Sequence, residues 1–282
     1  MVDIAVIAMG EMGSGIAGRL VERGARVLTS LAGRSETSIA RAKAIGVTVV
    51  DDATLVRDAT IFLSIVPPAA ARETVERFFP LIKDAAKPPI FVDCNAIAPQ
   101  TLATIARPFL DDGRAFADGA IIGVAPRPGY SPRLYLSGAV AEVADILNAH
   151  GLDCQVLSDK IGDASALKMS FAGITKGFQA LGTAMALGAA RVGAAEHFQM
   201  ELQRTLPELH AWLSKMLPSM YAKAYRWDDE MCEIATFLEP ERGAADMLLG
   251  AATLYRHVAE DNRRGPDSEI LSTLNRFVRP AG

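Results

Sequence analysis

The segment Ile161-Gly162-Asp163-Ala164-Ser165-Ala166-Leu167-Lys168-Met169-Ser170-Phe171-Ala172-Gly173 sets Lys168 within an otherwise small and apolar helix face. A lysine near a helix N-terminus opposes the helix dipole and is usually exposed. Buried, its ammonium needs a partner or a purpose, and desolvation lowers its pKa toward a useful range. It can then give a proton to a carbonyl oxygen as hydride arrives, and take one back in the reverse direction. Lys176, two turns further on, points roughly the same way and competes for that role.

Hydride chemistry needs a carrier, and the N-terminal residues predict one. The apolar run Ile4-Ala5-Val6-Ile7 leads into Ala8-Met9-Gly10-Glu11-Met12-Gly13, and Ile16-Ala17-Gly18-Arg19-Leu20-Val21 follows at helical spacing. A buried strand, a glycine-punctuated turn and a helix start bring backbone N–H groups toward a dinucleotide pyrophosphate. The turn is one glycine short of G-x-G-x-x-G, with Ala8 in the first place, Gly10 in the second and Gly13 in the third. Close approach to phosphate and tight helix packing depend on the second and third, and both are kept. Met9, Gly10, Glu11, Met12 and Gly13 are therefore the expected cofactor turn.

The next strand, Ala25-Arg26-Val27-Leu28-Thr29-Ser30, indicates which dinucleotide. An NAD site usually ends this strand with an acid for the ribose 2′-hydroxyl. Here Thr29-Ser30-Leu31-Ala32-Gly33-Arg34-Ser35 holds no carboxylate, and Arg34 can pair with a 2′-phosphate in a forked geometry. Ser35 can also simply cap the following helix. NADP (NADPH) is favoured over NAD. Two later strand ends belong to the same edge: Val66 and Pro67 after Ile61–Ile65, and Asn95 after Ile90–Asp93. Asn95 has two open roles, contact with the nicotinamide half or stabilisation of its own turn.

These residues require a scaffold that gathers strand ends. Strand patterns fall at 3–8, 26–30, 47–50, 60–65, 90–94, 115–121, 133–137 and 153–157, with helical patterns between most of them, including Ser35–Ala44, Ala69–Phe79 and Ala139–His150. That alternation predicts an α/β Rossmann domain, doubly wound with a mostly parallel sheet, over residues 1–160. The Pro-rich stretch 124–132 predicts a loop. Beyond residue 160 helical spacing dominates, with breaks expected near Pro218, Pro240 and Gly265-Pro266, so residues 161–282 are expected to form an all-α domain.

Composition narrows the function classes. The chain has 282 residues, half of them hydrophobic, and a net charge of −4. No basic stripe argues for nucleic acid. The long apolar stretch at 164–194 is interrupted by Lys168, Lys176 and Arg191, which reads as a buried helix and not a membrane span. Cys94, Cys154 and Cys232 lack metal-ligand spacing and are expected as buried small apolar residues in a reducing, cytoplasmic setting. His150, His197, His210 and His257 suggest no metal site. Glu230 and Glu233 read as a charged helix surface. Trp212, Trp227, Tyr221 and Tyr225 are expected to pack the helical domain.

Taken in order, Ala8–Gly13, Arg34-Ser35, Val66-Pro67-Pro68, Asp93–Pro99, Ala117–Gly123 and Gly162–Lys168 resemble the β-hydroxyacid dehydrogenase superfamily. The helical tail around Arg226-Trp227-Asp228-Asp229 is similar to a 6-phosphogluconate dehydrogenase-like branch with a C-terminal domain of unknown function. The resemblance implies an NADPH-dependent oxidoreductase acting on an alcohol or carbonyl, with Lys168 as the catalytic lysine. It also implies a homodimer through the helical domain. Two substrate positions depart from the pattern: the family's asparagine one turn past the lysine is Ala172, and its Ser-Gly-Gly segment falls on Ile122-Gly123-Val124. The substrate is then less polar than a simple 3-hydroxy acid, or its anion is held elsewhere, with Arg127 and Arg133 as candidates. The alternatives are an imine reductase-like enzyme, which Lys168 opposes, and a non-catalytic NADP-binding sensor.

Overall fold

The computed structural model describes residues 2–241 and 243–278. Eight strands are present among the described residues: β1 (Asp3–Ile7), β2 (Arg26–Thr29), β3 (Thr48–Val49), β4 (Ile61–Ser64), β5 (Ile90–Asp93), β6 (Phe116–Ile122), β7 (Arg133–Ser137) and β8 (Asp153–Ser158). They form one sheet in the order β3-β2-β1-β4-β5-β6-β7-β8. Every neighbouring pair is parallel except β6 and β7. The strand order reverses between β1 and β4, so the crevice beyond their carboxyl ends is where ligands bind in such sheets.

Alternation along the strands explains why both faces are covered. Ile4 and Val6 of β1 point into one core, with Ile16, Ala17 and Leu20 of α1 (Glu11–Glu22), Ala42 of α2 (Glu36–Ile45) and Val143 and Leu147 of α6 (Ala141–Ala149). Ala5 and Ile7 point into the other, under α3 (Asp52–Asp58), α4 (Ala71–Asp84) and α5 (Pro99–Asp111). Phe62, Phe91 and Phe116 are register partners on that second face, so their rings stack in a row. Each such ring, fully buried, contributes about 1.5–3 kcal/mol.

The chain divides into two compact units between Met169 and Ser170. The division falls inside helix α7 (Asp163–Arg191), beyond the change from strand to helix signals near residue 160. Beyond α7 the second unit holds α8 (Ala195–Thr205), α9 (Pro207–Met220), α10 (Trp227–Phe237), α11 (Ala244–Arg263) and α12 (Glu269–Val278). Its core includes Leu217, Met220, Met231, Tyr255, Val258 and Leu274. Gly182 lets α7 lie close to α9, since a Cβ there would sit 2.6 Å from Leu213 Cδ2. The buried Asp261 carboxylate accepts from the Ile270 and Leu271 amides and so caps α12 from another helix. The break expected near Pro218 comes at Met220, where α9 gives way to a 3-10 segment (Tyr221–Arg226), and Pro240 and Gly265-Pro266 also separate helices. One expectation needs correction: Tyr225 is exposed and packs no core.

Candidate active site

The glycine turn joins β1 to α1, with Gly10 as the N-cap and no side chain capping the helix. A helix N-terminus of this kind can direct backbone amides at an anion. The two glycines do different work. A Cβ on Gly13 would lie 1.9 Å from the Ala8 carbonyl oxygen, so only glycine lets α1 leave the strand at this angle. A Cβ on Gly10 would meet nothing within 4 Å, so that position is open toward whatever occupies the turn. Met9 is buried in the core, whereas Glu11 is exposed. A pyrophosphate fits this arrangement.

Arg34 and Ser35 follow β2. Ser35 caps α2, its Oγ accepting from the Ser38 amide at 3.3 Å. The Arg34 Nε is buried without a hydrogen-bond partner among the described residues. Burial, and next the neighbouring Arg77 charge, hold the Arg34 guanidinium below its ordinary pKa. Arg77, on α4, is fixed by Asp52, whose two oxygens accept from Nε and Nη2 at 2.7 Å each. Its Nη2 also donates to Ser30 Oγ at 3.0 Å. Two guanidiniums near one strand end, one with an unpaired N–H, suit a dianionic phosphate. Arg77 was not expected from sequence, since only the fold brings α4 to the end of β2.

Two buried aspartates, register partners at Asp93 and Asp118, organise the next strand ends. Asp93 accepts from the Asn95 amide and from Asn95 Nδ2, each at 2.9 Å. Asn95 Nδ2 also donates to Ser64 Oγ, and Asn95 Oδ1 accepts from the Val66 amide at 2.7 Å. The Asn95 side chain thus ties the end of β5 to the turn before Pro67, the second of its two open roles. Asp118 accepts from Ser137, Gly162 and Ser165. Burial holds its carboxyl above the ordinary carboxylate range, although those donors pull the other way. A lone acid within each apolar strand, Ile90-Phe91-Val92-Asp93 and Phe116-Ala117-Asp118, is the sequence signal that could have found this pair.

Lys168 lies on the second turn of α7, half-buried, and its Nζ donates to the Ile121 carbonyl oxygen at 2.5 Å. That oxygen is one residue before Ile122-Gly123, the expected substrate segment. Gly123 has φ +133, and a Cβ there would overlap Tyr130 Oη, so the chain turns sharply into the 124–132 loop. The loop is held on α1: Gly15 admits Pro126 and Ala125, and Arg19 donates to the Arg127 and Tyr130 carbonyls. The glycine turn, Arg34, Val66-Pro67, Asn95 and Ile122-Gly123 therefore all follow carboxyl ends of strands at one edge of the sheet. Ala172 lies one turn beyond Lys168, buried, in the second unit.

Several other candidates have partners of their own. Lys176 pairs with Glu230 and lies over the Trp227 ring, and its carbonyl accepts from Tyr255 Oη. Glu230 is consequently buried, not part of a charged surface. Arg133 pairs with Asp153, and Arg127 lies over Tyr130. Cys94 and Cys154 are buried, but Cys232 is exposed, contrary to expectation. Burial, then the Asp93 and Asp118 charges, push the Cys94 thiol well up, and burial pushes Cys154 to about 12; neither is a nucleophile. Among the described residues no group of His, Cys, Asp or Glu could hold a metal ion. No helix among them is long and apolar enough to cross a membrane.

Residues 3–97 match a family described as NADP oxidoreductase coenzyme F420-dependent, and residues 189–258 match a domain of unknown function, DUF1932. A conserved protein of unknown function, whose solved structure is described as similar to 3-hydroxyacid dehydrogenases, is 30% identical. That match covers 92% of this chain and 99% of the other, with a TM-score of 0.68. A conserved hypothetical protein from Sinorhizobium meliloti 1021 is 26% identical over 98% of this chain and 97% of its own, with a TM-score of 0.70. An uncharacterized 28.5 kDa protein of Methanothermus fervidus is 27% identical over 91% of this chain and 99% of its own. At 16% identity the fold is shared with 3-hydroxyisobutyrate dehydrogenase from Mycobacterium tuberculosis, TM-score 0.66 over 98% and 99% of the two chains. It is shared also with an imine reductase from Myxococcus stipitatus in complex with NADP+, TM-score 0.55 over 99% and 100%.

Proposed function

This chain belongs to the β-hydroxyacid dehydrogenase superfamily, and on that footing we propose that it is an NADPH-dependent oxidoreductase interconverting an alcohol and a carbonyl. When bound, the nicotinamide dinucleotide supplies or accepts the hydride. The glycine turn and the α1 N-terminus hold its pyrophosphate, Arg34 with Ser35 takes the 2′-phosphate, and Val66, Pro67 and Asn95 shape the nicotinamide end. Lys168 protonates the carbonyl oxygen during reduction and accepts that proton during oxidation. The observation that carries this reading is the Lys168 ammonium at the Ile121 carbonyl, on the sheet edge that also carries the glycine turn. The dinucleotide-binding domain is residues 1–160, and the helical substrate and dimerisation domain is 161–282. The free cysteines fit a reducing, cytoplasmic setting.

The test is a titration of NADPH against NADH, followed by turnover on 3-hydroxy acids, simple alcohols and carbonyls, and cyclic imines. Tight NADPH binding with turnover of an alcohol or carbonyl supports the reading; turnover of imines alone overturns it. Ile122 and Ala172, apolar where the family carries polar residues, favour that imine reading. For the cofactor, Arg34→Ala is expected to weaken NADPH binding about 10–100-fold, the worth of a charge-assisted contact, and leave NADH unchanged. Equal losses for both cofactors would remove Arg34 from the 2′-phosphate site.

The proposed homodimer rests on α7. Phe171, Ile174, Phe178, Leu181 and Met185 are all exposed and recur at alternating spacings of three and four, the repeat of a coiled-coil seam. A stripe of this kind is self-complementary across a two-fold axis, so a second copy of the chain is its proposed occupant. Phe178→Glu combined with Leu181→Glu is expected to give a monomer in sedimentation, with NADPH binding retained. A dimer that persists in that variant would place the interface elsewhere.

A further inference from the structure

A lysine in the opening turns of a helix faces the positive end of the helix dipole, so something must make Lys168 tolerable there and hold it still. Strand β6 does both. Asp118 Oδ2 accepts from Ser137 Oγ at 3.0 Å, from the Gly162 amide at 3.0 Å and from the Ser165 amide at 2.9 Å. Its Oδ1 accepts from Ser165 Oγ at 2.7 Å, and Ser137 Oγ in turn accepts from the Ala164 amide at 3.1 Å. The amides of Gly162, Ala164 and Ser165 belong to the start of α7, where donors have no partner within the helix. Asp118 is fully buried and 47 residues away from Ser165 in sequence, so it caps α7 from a neighbouring strand. Lys168 follows Ser165 by one turn, and its Nζ reaches Ile121, three residues after Asp118 on the same strand.

We infer that Asp118 is a positioning residue for Lys168: its carboxylate clamps the first turn of α7 to β6, so that the helix delivers the ammonium to the Ile121 carbonyl of that same strand. The negative charge also offsets the dipole that Lys168 opposes. A carboxylate suits this position because three donors converge on one oxygen and a fourth on the other. In Asp118→Asn one carboxylate oxygen becomes an amide NH2: at Oδ2 it would face three donors, and at Oδ1 the Ser165 hydroxyl must turn from donor to acceptor while the negative charge is lost. The effect on turnover rests on the proposed role of Lys168; the clamp itself does not.

The experiment therefore has two arms, applied to the full chain, Asp118→Asn, Ser165→Ala and Lys168→Ala. In the first, a brief pulse of reductive methylation is followed by peptide mass spectrometry, and labelling at Lys168 is compared with Lys43 and Lys83. Both clamp variants are expected to raise Lys168 labelling selectively, by about tenfold in Asp118→Asn and less in Ser165→Ala, as a released helix start opens locally. Equal increases at all three lysines, or none at Lys168, would overturn the clamp. In the second arm, on whichever substrate the panel yields, Asp118→Asn is expected to lower kcat about tenfold or more while KM and NADPH affinity hold, as misplacement of a reacting group does. If Asp118→Asn fails to fold, Ser165→Ala carries both arms. Full activity in folded Asp118→Asn beside an inactive Lys168→Ala defeats this inference and spares the role of Lys168. An active Lys168→Ala defeats that role, and the labelling arm still decides the clamp.

Discussion

Lys168→Ala is expected to lower turnover about 10²–10⁴-fold, the usual contribution of a positioned general acid or base, with NADPH affinity unchanged. The split follows from its location. Its ammonium meets the Ile121 carbonyl at the end of β6, whereas the cofactor residues proposed above follow β1, β2, β4 and β5. Lys168→Arg should be as inactive as alanine, because a guanidinium keeps the charge and cannot release its proton at working pH. That pair separates proton transfer from simple electrostatic attraction. Lys176→Ala is the control. It removes the Lys176 ammonium from the buried Glu230 carboxylate, so it should lower the melting temperature and leave kcat in the surviving folded protein. Near-normal turnover in Lys168→Ala on a true substrate would end the mechanism.

Gly13→Ala and Gly10→Ala are expected to fail in opposite ways. A methyl at Gly13 would meet the Ala8 backbone oxygen at 1.9 Å, and backbone cannot step aside as a flexible side chain can. The helix must shift from the strand, at a cost of about 3 kcal/mol or more, the upper range for overpacking. For a unit of this size that lowers the melting temperature by roughly 6–12 °C. Gly10→Ala adds its methyl to open space at an N-cap with φ −68, a conformation alanine accepts. It should melt like the parent and still lose NADPH affinity, because the methyl lies where backbone and phosphate would approach. Thermal melts with and without NADPH read both results together. A stable Gly10→Ala protein that binds NADPH normally would remove the pyrophosphate from this turn.

The eight strands were legible because a half-buried or buried strand writes its own period, and turn residues bound each one. Asp93 and Asp118 were visible as anomalies, acids inside apolar runs, but their partners were not. Asn95 shows the limit well. Its type and position after β5 admitted two roles, and the bonds to Asp93, Ser64 and Val66 show its side chain ordering the turn. The break expected near Pro218 was legible for a local reason, since proline disfavours helix continuation, and α9 ends two residues later at Met220. Tyr225 and Glu230 misled for a tertiary reason. Residue type predicts average burial, and Glu230 is buried because Lys176, 54 residues earlier, pairs with it.

By itself the sequence determined the sheet-and-helix scaffold and the glycine turn, and it offered Lys168, with Lys176 as competitor, for the role of proton donor. Those are properties of nearby residues: periodicity selects the element, and the absence of a side chain selects the glycine. The tertiary structure gave the two lysines different partners, binding Lys176 to Glu230 and turning Lys168 toward Ile121. It also set Arg77 beside Arg34 and Asp118 beneath the start of α7. Hydrogen bonds and charge pairs act over a few ångströms, and only folding brings residues this far apart in the chain within that reach.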